Sequence, residues 1–328
     1  MIRLLDLDPK RYTPHPVHQG ERSWTETNCF VDLWIELLWA HGYEPLAAMP
    51  FTVALDLEGD QFTFFKFPFA DLERLYDAYV FELNIWDDLL RHTRSELELG
   101  RPVVVELDSF YLPDTAGTAY QQAHVKTSVA VNLLDVEQKR LGYFHNAGYY
   151  ELAGADFDGV FRLDKSRFDA SHLPPYVEVV RKERMRRCDE PELVRRSLEL
   201  LRKHVGLMPE SNPFERYAAR FPTDLGWVRE HDMPGFHAYS FATLRQAGAN
   251  YELLRDYLAW LGPRAGLSID RAKAAAETLA TGPKGIQFKL ARAIAGKRAY
   301  DPAAQLAELV AAYTTLRDEL RGLLAPAA

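Results

Sequence analysis

The sequence contains few cysteines, with only Cys29 and Cys188 in 328 residues. A secreted protein of this length usually has more, because disulfides form in oxidising compartments, so the scarcity favours a reducing compartment. The first residues contain no apolar stretch long enough for a secretory signal peptide. We therefore predict a cytoplasmic protein.

Long hydrophobic runs and an excess of positive charge are also missing. No segment approaches the ~18 apolar residues that a membrane helix requires. The net charge of −8 argues against a dedicated nucleic-acid binder, since phosphate contacts need clustered Lys and Arg. Asp56, Glu58 and Asp60 alternate like calcium ligands, but no coordinating Glu follows at the required spacing. We expect no membrane, nucleic-acid or metal partner.

The order of the predicted elements indicates the fold class. In the first half, helical patterns come first and strand patterns follow them, which is typical of an α+β fold rather than of a parallel sheet. Predicted helices span residues 30–41, 71–79 and 86–99. Predicted strands span residues 61–67, 102–107, 125–134 and 140–144.

The composition changes beyond residue 174, where strand patterns give way to helical ones. From residue 178 onward, nearly all of the chain reads as helix. The predicted helices span residues 189–204, 214–221, 236–261, 267–281, 284–297 and 302–324. We therefore predict a catalytic domain over residues 1–175 and a helical domain over residues 176–328.

Cys29 lies in the first turn of a strongly apolar helical pattern. Thr27 or Asn28 can cap this helix, and Gly42 suits the left-handed position after its end. Unpaired N–H groups at a helix N-terminus favour negative charge, and therefore the nucleophilic thiolate form of a cysteine. The alternative is that Cys29 is a small buried hydrophobic residue.

His124 and Asn146 supply the second signal. His124 stands at the start of a predicted strand, and Asn146 follows the next strand directly. A base at a strand edge can face a nucleophile at a helix tip, and an amide oxygen can fix the tautomer of the imidazole. The chain order of Cys29, His124 and Asn146 is that of papain-like enzymes, so we predict these three as the catalytic residues.

Three sequence features together resemble the butirosin-biosynthesis H-like proteins of the papain-like cysteine acyltransferase superfamily. They are the helix opening at Cys29, the stretch from Gly100 to Pro113 that contains Asp108 and Tyr111, and then His124. The chain also resembles an uncharacterised bacterial family associated with carrier proteins and amino acid:carrier-protein ligases. Where the relatives tend to have an Asp after the last strand, this chain has His145 and Asn146.

The resemblance implies a papain-like fold for the first domain and an acyl-Cys29 intermediate. The enzyme would move an aminoacyl group from a carrier-protein thioester, borne on phosphopantetheine, to a small-molecule or peptide amine. The oxyanion would be held by the Cys29 N–H and an upstream side chain, for which Gln19, Asn28, Thr25 and Thr27 are candidates. A cysteine peptidase or amidase, and a non-catalytic carrier-protein binding module, are the alternatives.

Five polar residues are candidates for substrate binding. Asp108, near the loop that contains Tyr111, could bind a substrate amine or could cap a turn. Glu58 and Gln61 could line the site entrance, although a turn at Gly59 also accounts for them. His145 could be a second base or could stack among the neighbouring aromatic rings.

Overall fold

The computed structural model describes residues 1–20, 22–25, 28–164, 166 and 172–324. Their strands are β1 (Ile2–Arg3), β2 (Leu57–Glu58), β3 (Gln61–Phe62), β4 (Val80–Glu82), β5 (Val103–Asp108), β6 (Lys126–Asp135), β7 (Arg140–His145), β8 (Gly148–Ala153) and β9 (Val177–Val180). Their α-helices are α1 (Pro16–Gln19), α2 (Cys29–Ala40), α3 (Phe69–Tyr76), α4 (Leu89–Glu98), α5 (Ala155–Val160), α6 (Glu190–Val205), α7 (Pro213–Glu230), α8 (Asp232–Ser240), α9 (Gln246–Ala265), α10 (Asp270–Ala295) and α11 (Ala303–Leu324).

Short helices of other types occur between these elements. The 3₁₀ helices span Pro45–Ala54, Ser109–Tyr111, Pro113–Thr115 and Lys182–Arg184. A π-helix, Phe241–Arg245, lies between α8 and α9. The chain divides into two units: unit 1 contains Met1–Gly20, Cys29–Pro45 and Phe69–Arg187, and unit 2 contains Glu21–Asn28, Leu46–Pro68 and Cys188–Ala328.

Unit 1 is built on one antiparallel sheet with the strand order β4-β9-β5-β6-β7-β8. Strand β1 pairs with the far end of β6, which is the longest strand of the sheet. The register between β5 and β6 places Asp108 opposite Lys126 and Val103 opposite Val131. Because the pairing continues to the last residue of β5, the loops that follow β5 and precede β6 lie side by side.

The two faces of this sheet carry different layers. One face forms a hydrophobic core in which Val105, Val131 and Tyr143 of the strands meet Leu97 of α4 and Phe157 of α5. Helix α2 contacts β6, β7 and β8 and does not contribute to that core. Since alternate strand residues point to opposite faces, we assign α2 to the other face of the sheet.

Two buried carboxylates on α2 attach the segment that precedes it in unit 1. Glu36 accepts hydrogen bonds from Tyr12 Oη at 2.5 Å, from the backbone N–H of His15 at 3.1 Å and from His18 Nδ1. His18 Nε2 lies 3.1 Å from Asp32 Oδ1. These contacts order a segment that the sequence pattern indicates only as an irregular lead-in.

Unit 2 is a bundle of helices α6 to α11 with the β2–β3 hairpin at one side. Helix α10 packs between α9 and α11, and α7 packs against α8 and α11. The segment before Cys29 belongs to this unit. Buried Glu252 of α9 accepts hydrogen bonds from the N–H groups of Ser23 and Trp24, and Trp24 Nε1 donates to Ala280 O at 2.7 Å.

The α+β class and the helical C-terminal region predicted from the sequence are both confirmed. The local predictions differ from the structure in several places. Of the strand predicted over residues 61–67, only Gln61–Phe62 is a strand, β3. Val177–Val180 is a strand between β4 and β5 rather than part of a helical region, because this short apolar run is buried within the sheet. The basic residues that follow form only a 3₁₀ turn, Lys182–Arg184. None of the described helices combines the length and apolar character needed to cross a bilayer.

Candidate functional site

A cavity of about 370 Å³ opens in unit 1 where β5 ends and β6 begins. Its wall includes Asp108, Tyr111 and His124, all of which the sequence indicates as site residues. The Tyr111 ring packs against Gly159 of α5 so closely that a Cβ atom there would lie 2.2 Å from it. The absence of a side chain at Gly159 therefore lets the tyrosine form one wall.

His124 is held by Asp108 at the edge of this cavity. The imidazole Nδ1 lies 2.6 Å from Asp108 Oδ2. The other carboxylate oxygen, Oδ1, accepts the backbone N–H of Phe110 at 3.0 Å. Asp108 therefore caps the turn after β5 and orients His124 at the same time.

Aromatic stacking fixes the plane of the same imidazole. The rings of His124 and Phe110 are nearly parallel, with their centroids 4.5 Å apart and an interplanar angle of 14°. The side chain of His124 is nevertheless 61% exposed. When the imidazole is neutral and its Nδ1–H donates to the carboxylate, the lone pair of Nε2 is available to a substrate, which is the arrangement of a general base.

Ionisable residues that the sequence does not indicate also line this cavity. Arg162 and His172 come from the segment after α5, and Arg162 donates to Leu173 O at 2.7 Å. Glu106 of β5 accepts a hydrogen bond from Lys126 Nζ at 2.6 Å. No local motif in the sequence marks Arg162 or His172 as residues of this site.

Cys29 is the first residue of α2 and is partly exposed. Its position at the helix N-terminus is the one that the sequence indicates. It is not among the residues that line the cavity, and within the described ranges no hydrogen bond joins its thiol to His124. Cys29 and His124 nevertheless belong to the same unit, and α2 packs on β6, which begins two residues after His124.

Asn146 occupies the tight turn between β7 and β8. Its φ of +46° is left-handed, a conformation that asparagine adopts more readily than most residues. The described residues show no hydrogen bond between Asn146 and His124, whose Nδ1 pairs with Asp108 instead. Asp108, which we expected to bind substrate or to cap a turn, therefore makes the contact with His124 that we expected from Asn146.

His145 is buried in a hydrogen-bond network rather than exposed to a cavity. Its Nδ1 lies 2.5 Å from Asp114 Oδ2, and its Nε2 lies 2.7 Å from Thr127 Oγ1. Tyr143 Oη donates to the other oxygen of Asp114 at 2.5 Å. Because both ring nitrogens of His145 are engaged, this geometry favours a structural role over that of a second base.

The expected oxyanion donors occupy different environments. Gln19 is exposed, and its amide nitrogen donates to Pro14 O. Asn28 is buried and donates from Nδ2 to Phe65 O at 2.6 Å, within unit 2. Thr25 is exposed, and Thr27 lies outside the described residues. The backbone N–H of Cys29 remains the oxyanion donor that the sequence predicts.

Glu58 and Gln61 face each other across the β2–β3 hairpin of unit 2. Both are exposed, and Glu58 Oε1 lies 3.2 Å from Thr63 Oγ1. Gln61 lines a separate cavity within unit 2. Their role at the entrance of the Cys29 site stays a prediction.

Comparison with known proteins finds two adjacent family matches. The model of the DUF1839 N-terminal domain matches residues 13–182, and that of the DUF1839 C-terminal domain matches residues 190–322. No curated protein matches the chain.

Proposed function

The chain belongs to the DUF1839 family, and we propose that this member is a cysteine-dependent acyltransferase whose first unit has a papain-like fold. Cys29 is the nucleophile, His124 is the general acid and base, and Asp108 orients His124. The acyl donor is a thioester on the phosphopantetheine of an acyl carrier protein, and the acceptor is an amine.

The hydrogen bond from His124 Nδ1 to Asp108 Oδ2 carries this proposal. It holds an exposed imidazole at a cavity with its second nitrogen directed away from the carboxylate. Cys29 adds a partly exposed thiol as the first residue of α2, the position that the sequence predicts for the nucleophile. Catalytic hydrogen bonds often shorten only in the substrate complex, so we expect Cys29 and His124 to approach each other when substrate binds.

The proposed reaction consists of two acyl transfers. The Cys29 thiolate attacks the thioester carbonyl, the bond to the carrier sulfur breaks, and the departing thiolate takes a proton from His124. An amine then attacks the acyl-Cys29 carbonyl and gives its proton to His124 Nε2, and the Cys29 thiolate leaves. The products are an amide and the carrier thiol, and the enzyme returns to its starting state.

Intact-protein mass spectrometry tests the covalent step. We expect incubation with an aminoacyl-carrier thioester to add one aminoacyl mass to the wild-type chain, and an added amine to remove it. The Cys188→Ala variant should retain the adduct and Cys29→Ala should lose it. An adduct that persists in Cys29→Ala would refute the assignment, and release by water alone would identify a hydrolase.

A crosslinking experiment tests the approach of the two residues separately. In a His124→Cys, Cys188→Ala variant, the remaining thiols are those at positions 29 and 124. A short bifunctional thiol reagent such as dibromobimane should join them, and the carrier thioester should change the rate of joining. The matched variant Val136→Cys, Cys188→Ala places an exposed thiol at the opposite end of β6. If only this control crosslinks, the proposed site is wrong.

A further inference from the structure

Unit 2 contains a cavity of about 410 Å³ that the proposed reaction does not use. Its wall includes Gln61, Arg220, Asp224, Trp227, Tyr239 and Thr243. This volume lies in the range of ordinary small-molecule sites. The cavity lies wholly within the residues of unit 2 and can be considered without reference to Cys29.

A π-helix forms part of this wall. Ala242 and Thr243 belong to the segment Phe241–Arg245, and Tyr239 lies two residues before it. Single turns of π-helix interrupt α-helices at a cost and occur frequently at functional sites. The π-helix therefore favours a functional role for this cavity over a packing defect.

Two buried polar side chains flank the π-helix directly. Ser240 and Gln246 are each 1% exposed. Neither Ser240 Oγ nor either amide atom of Gln246 has a hydrogen-bond partner among the described residues. Buried polar atoms without partners cost stability, and this cost falls on the two residues that border the π-helix. Neither side chain lines the cavity.

The charges of the wall favour a cationic ligand over an anionic one. Arg220 is fully engaged, since Nε and Nη2 donate to both oxygens of Asp224 and Nη1 donates to Gly59 O. Asp60 also lines the cavity and forms no ion pair within the described residues. The charge of Asp60 acts on Arg220 together with that of Asp224, and the two carboxylates outnumber the single guanidinium of the wall.

An aromatic surface adjoins these charges. Trp227 is 45% exposed and lines the cavity, and His231 stacks on its ring at a centroid distance of 4.2 Å. Tyr239 Oη donates to Asp224 Oδ2 at 3.2 Å, which leaves its ring as part of the wall. Indole and phenol rings attract organic cations through their negative faces.

We propose that this cavity binds a small organic ammonium compound. Its carbon body lies against Trp227 and Tyr239, and its ammonium group is held by Asp60 and the amide oxygen of Gln61. This binding does not depend on the Cys29 reaction. A Cys29→Ala chain should bind the same ligand, so this proposal and the acyl-transfer proposal can fail separately.

Calorimetry on the full-length Cys29→Ala chain tests the site. The probes are 2-phenylethylamine, tyramine and 1,4-diaminobutane, with 2-phenylethanol and 3-phenylpropionate as neutral and anionic counterparts. We expect at least one amine to bind with a Kd of about 1 mM or lower, and at least tenfold more tightly than the neutral and anionic counterparts. No binding of any amine up to about 10 mM, or equal binding of amine and alcohol, would overturn the proposal.

Substitutions at two residues locate the binding within the chain. Trp227→Ala should weaken amine binding about tenfold, whereas Trp227→Phe, which keeps an aromatic ring, should retain most of it. Asp60→Asn should weaken amine binding about threefold without changing alcohol binding. The matched controls Trp86→Ala and Asp87→Asn change exposed residues of unit 1 and should have no effect. Binding unaffected by the changes at residues 60 and 227 would also overturn the proposal.

Discussion

Asp114 and His145 form a buried pair, with Oδ2 and Nδ1 2.5 Å apart and both side chains less than 5% exposed. Unit 1 also contains an Asp–His pair of the opposite character. This pair, Asp108 and His124, lies at a cavity with its imidazole largely exposed. A buried pair with both ring nitrogens engaged holds structure together, whereas an exposed one can exchange protons with a substrate.

The exposed pair leads to the first prediction. Asp108→Asn should lower the rate of acyl transfer by about 10²–10⁴-fold, because an amide no longer fixes the Nδ1-protonated tautomer of His124. The measurement is single-turnover transfer from an aminoacyl-carrier thioester. Asp108→Asn with His124→Ala should be no slower than His124→Ala alone, since both act through one imidazole. A rate within about twofold of wild type in Asp108→Asn would contradict the orienting role.

The buried pair leads to the second prediction. Asp114→Ala should lower the free energy of unfolding by about 3–5 kcal/mol, because it leaves the buried donors of Tyr143 and His145 without their acceptor. Asp114→Asn should cost less, about 1–2 kcal/mol, since an amide oxygen can still accept one hydrogen bond. Urea denaturation provides the measurement.

The matched control for this change is Asp87→Ala. Asp87 pairs with Arg91 at 2.9 Å, but both side chains are about half exposed, so its removal should cost only about 0–1 kcal/mol. Equal costs for Asp114→Ala and Asp87→Ala would mean that the buried pair adds nothing to stability.

Local sequence patterns were sufficient to predict the helices and strands whose bounds are set by their own apolar residues and end residues. The apolar spacing over residues 30–41 predicts α2, which spans Cys29–Ala40. Gly42 follows with a φ of +76°, as expected for the residue after a helix end. Strands β5, β6 and β7 lie within a residue or two of their predicted bounds, because uninterrupted buried runs are visible in the sequence.

Prolines were misleading in the helical region. The patterns predict separate helices over residues 267–281 and 284–297, but α10 runs from Asp270 to Ala295 with Pro283 buried inside it. Helix α7 likewise continues past Pro222 to Glu230. A proline removes one hydrogen bond from a helix, and packing of α10 between α9 and α11 outweighs that cost.

The partner of His124 could not be predicted because it depends on strand register. Asp108 lies opposite Lys126 across β5 and β6, which brings it next to a histidine two residues before Lys126. Sequence spacing indicates the strands but not their alignment. Chain order favours Asn146 as the residue that orients His124, but the structure places Asn146 in a turn.

The third prediction concerns the pH dependence of stability. Burial lowers the pKa of His41 from 6.5 to about 4; the charges of Lys182 and Arg187 act in the same direction, and the hydrogen bond to Leu37 O opposes them. His41 therefore takes up a proton near pH 6.5 in the unfolded chain and only near pH 4 in the folded chain. The contribution of His41 to the free energy of unfolding is complete above pH 6.5. It is lost as the pH falls from 6.5 to 4, by about 3 kcal/mol in total.

His41→Phe removes this titration. We expect the free energy of unfolding, measured in urea, to fall less steeply between pH 7 and pH 4.5 in His41→Phe than in the wild-type chain. The difference between the two chains isolates His41, since every other group titrates in both. Parallel pH profiles would show that burial does not perturb this histidine.

The fourth prediction concerns the contact between Gly248 and Trp24 in unit 2. A Cβ atom at residue 248 would lie 2.2 Å from Cε2 of Trp24, which is 1% exposed and donates from Nε1 to Ala280 O. Gly248→Ala should therefore lower the free energy of unfolding by about 1–3 kcal/mol, since the indole must shift within a close-packed core.

Gly226→Ala is the matched control, because Gly226 also lies inside a helix but a Cβ atom there meets no heavy atom within 4 Å. That change should instead stabilise the chain by up to about 1 kcal/mol, as alanine favours the helix over glycine. If urea denaturation finds the same sign for both substitutions, the Trp24 contact does not account for the glycine at residue 248.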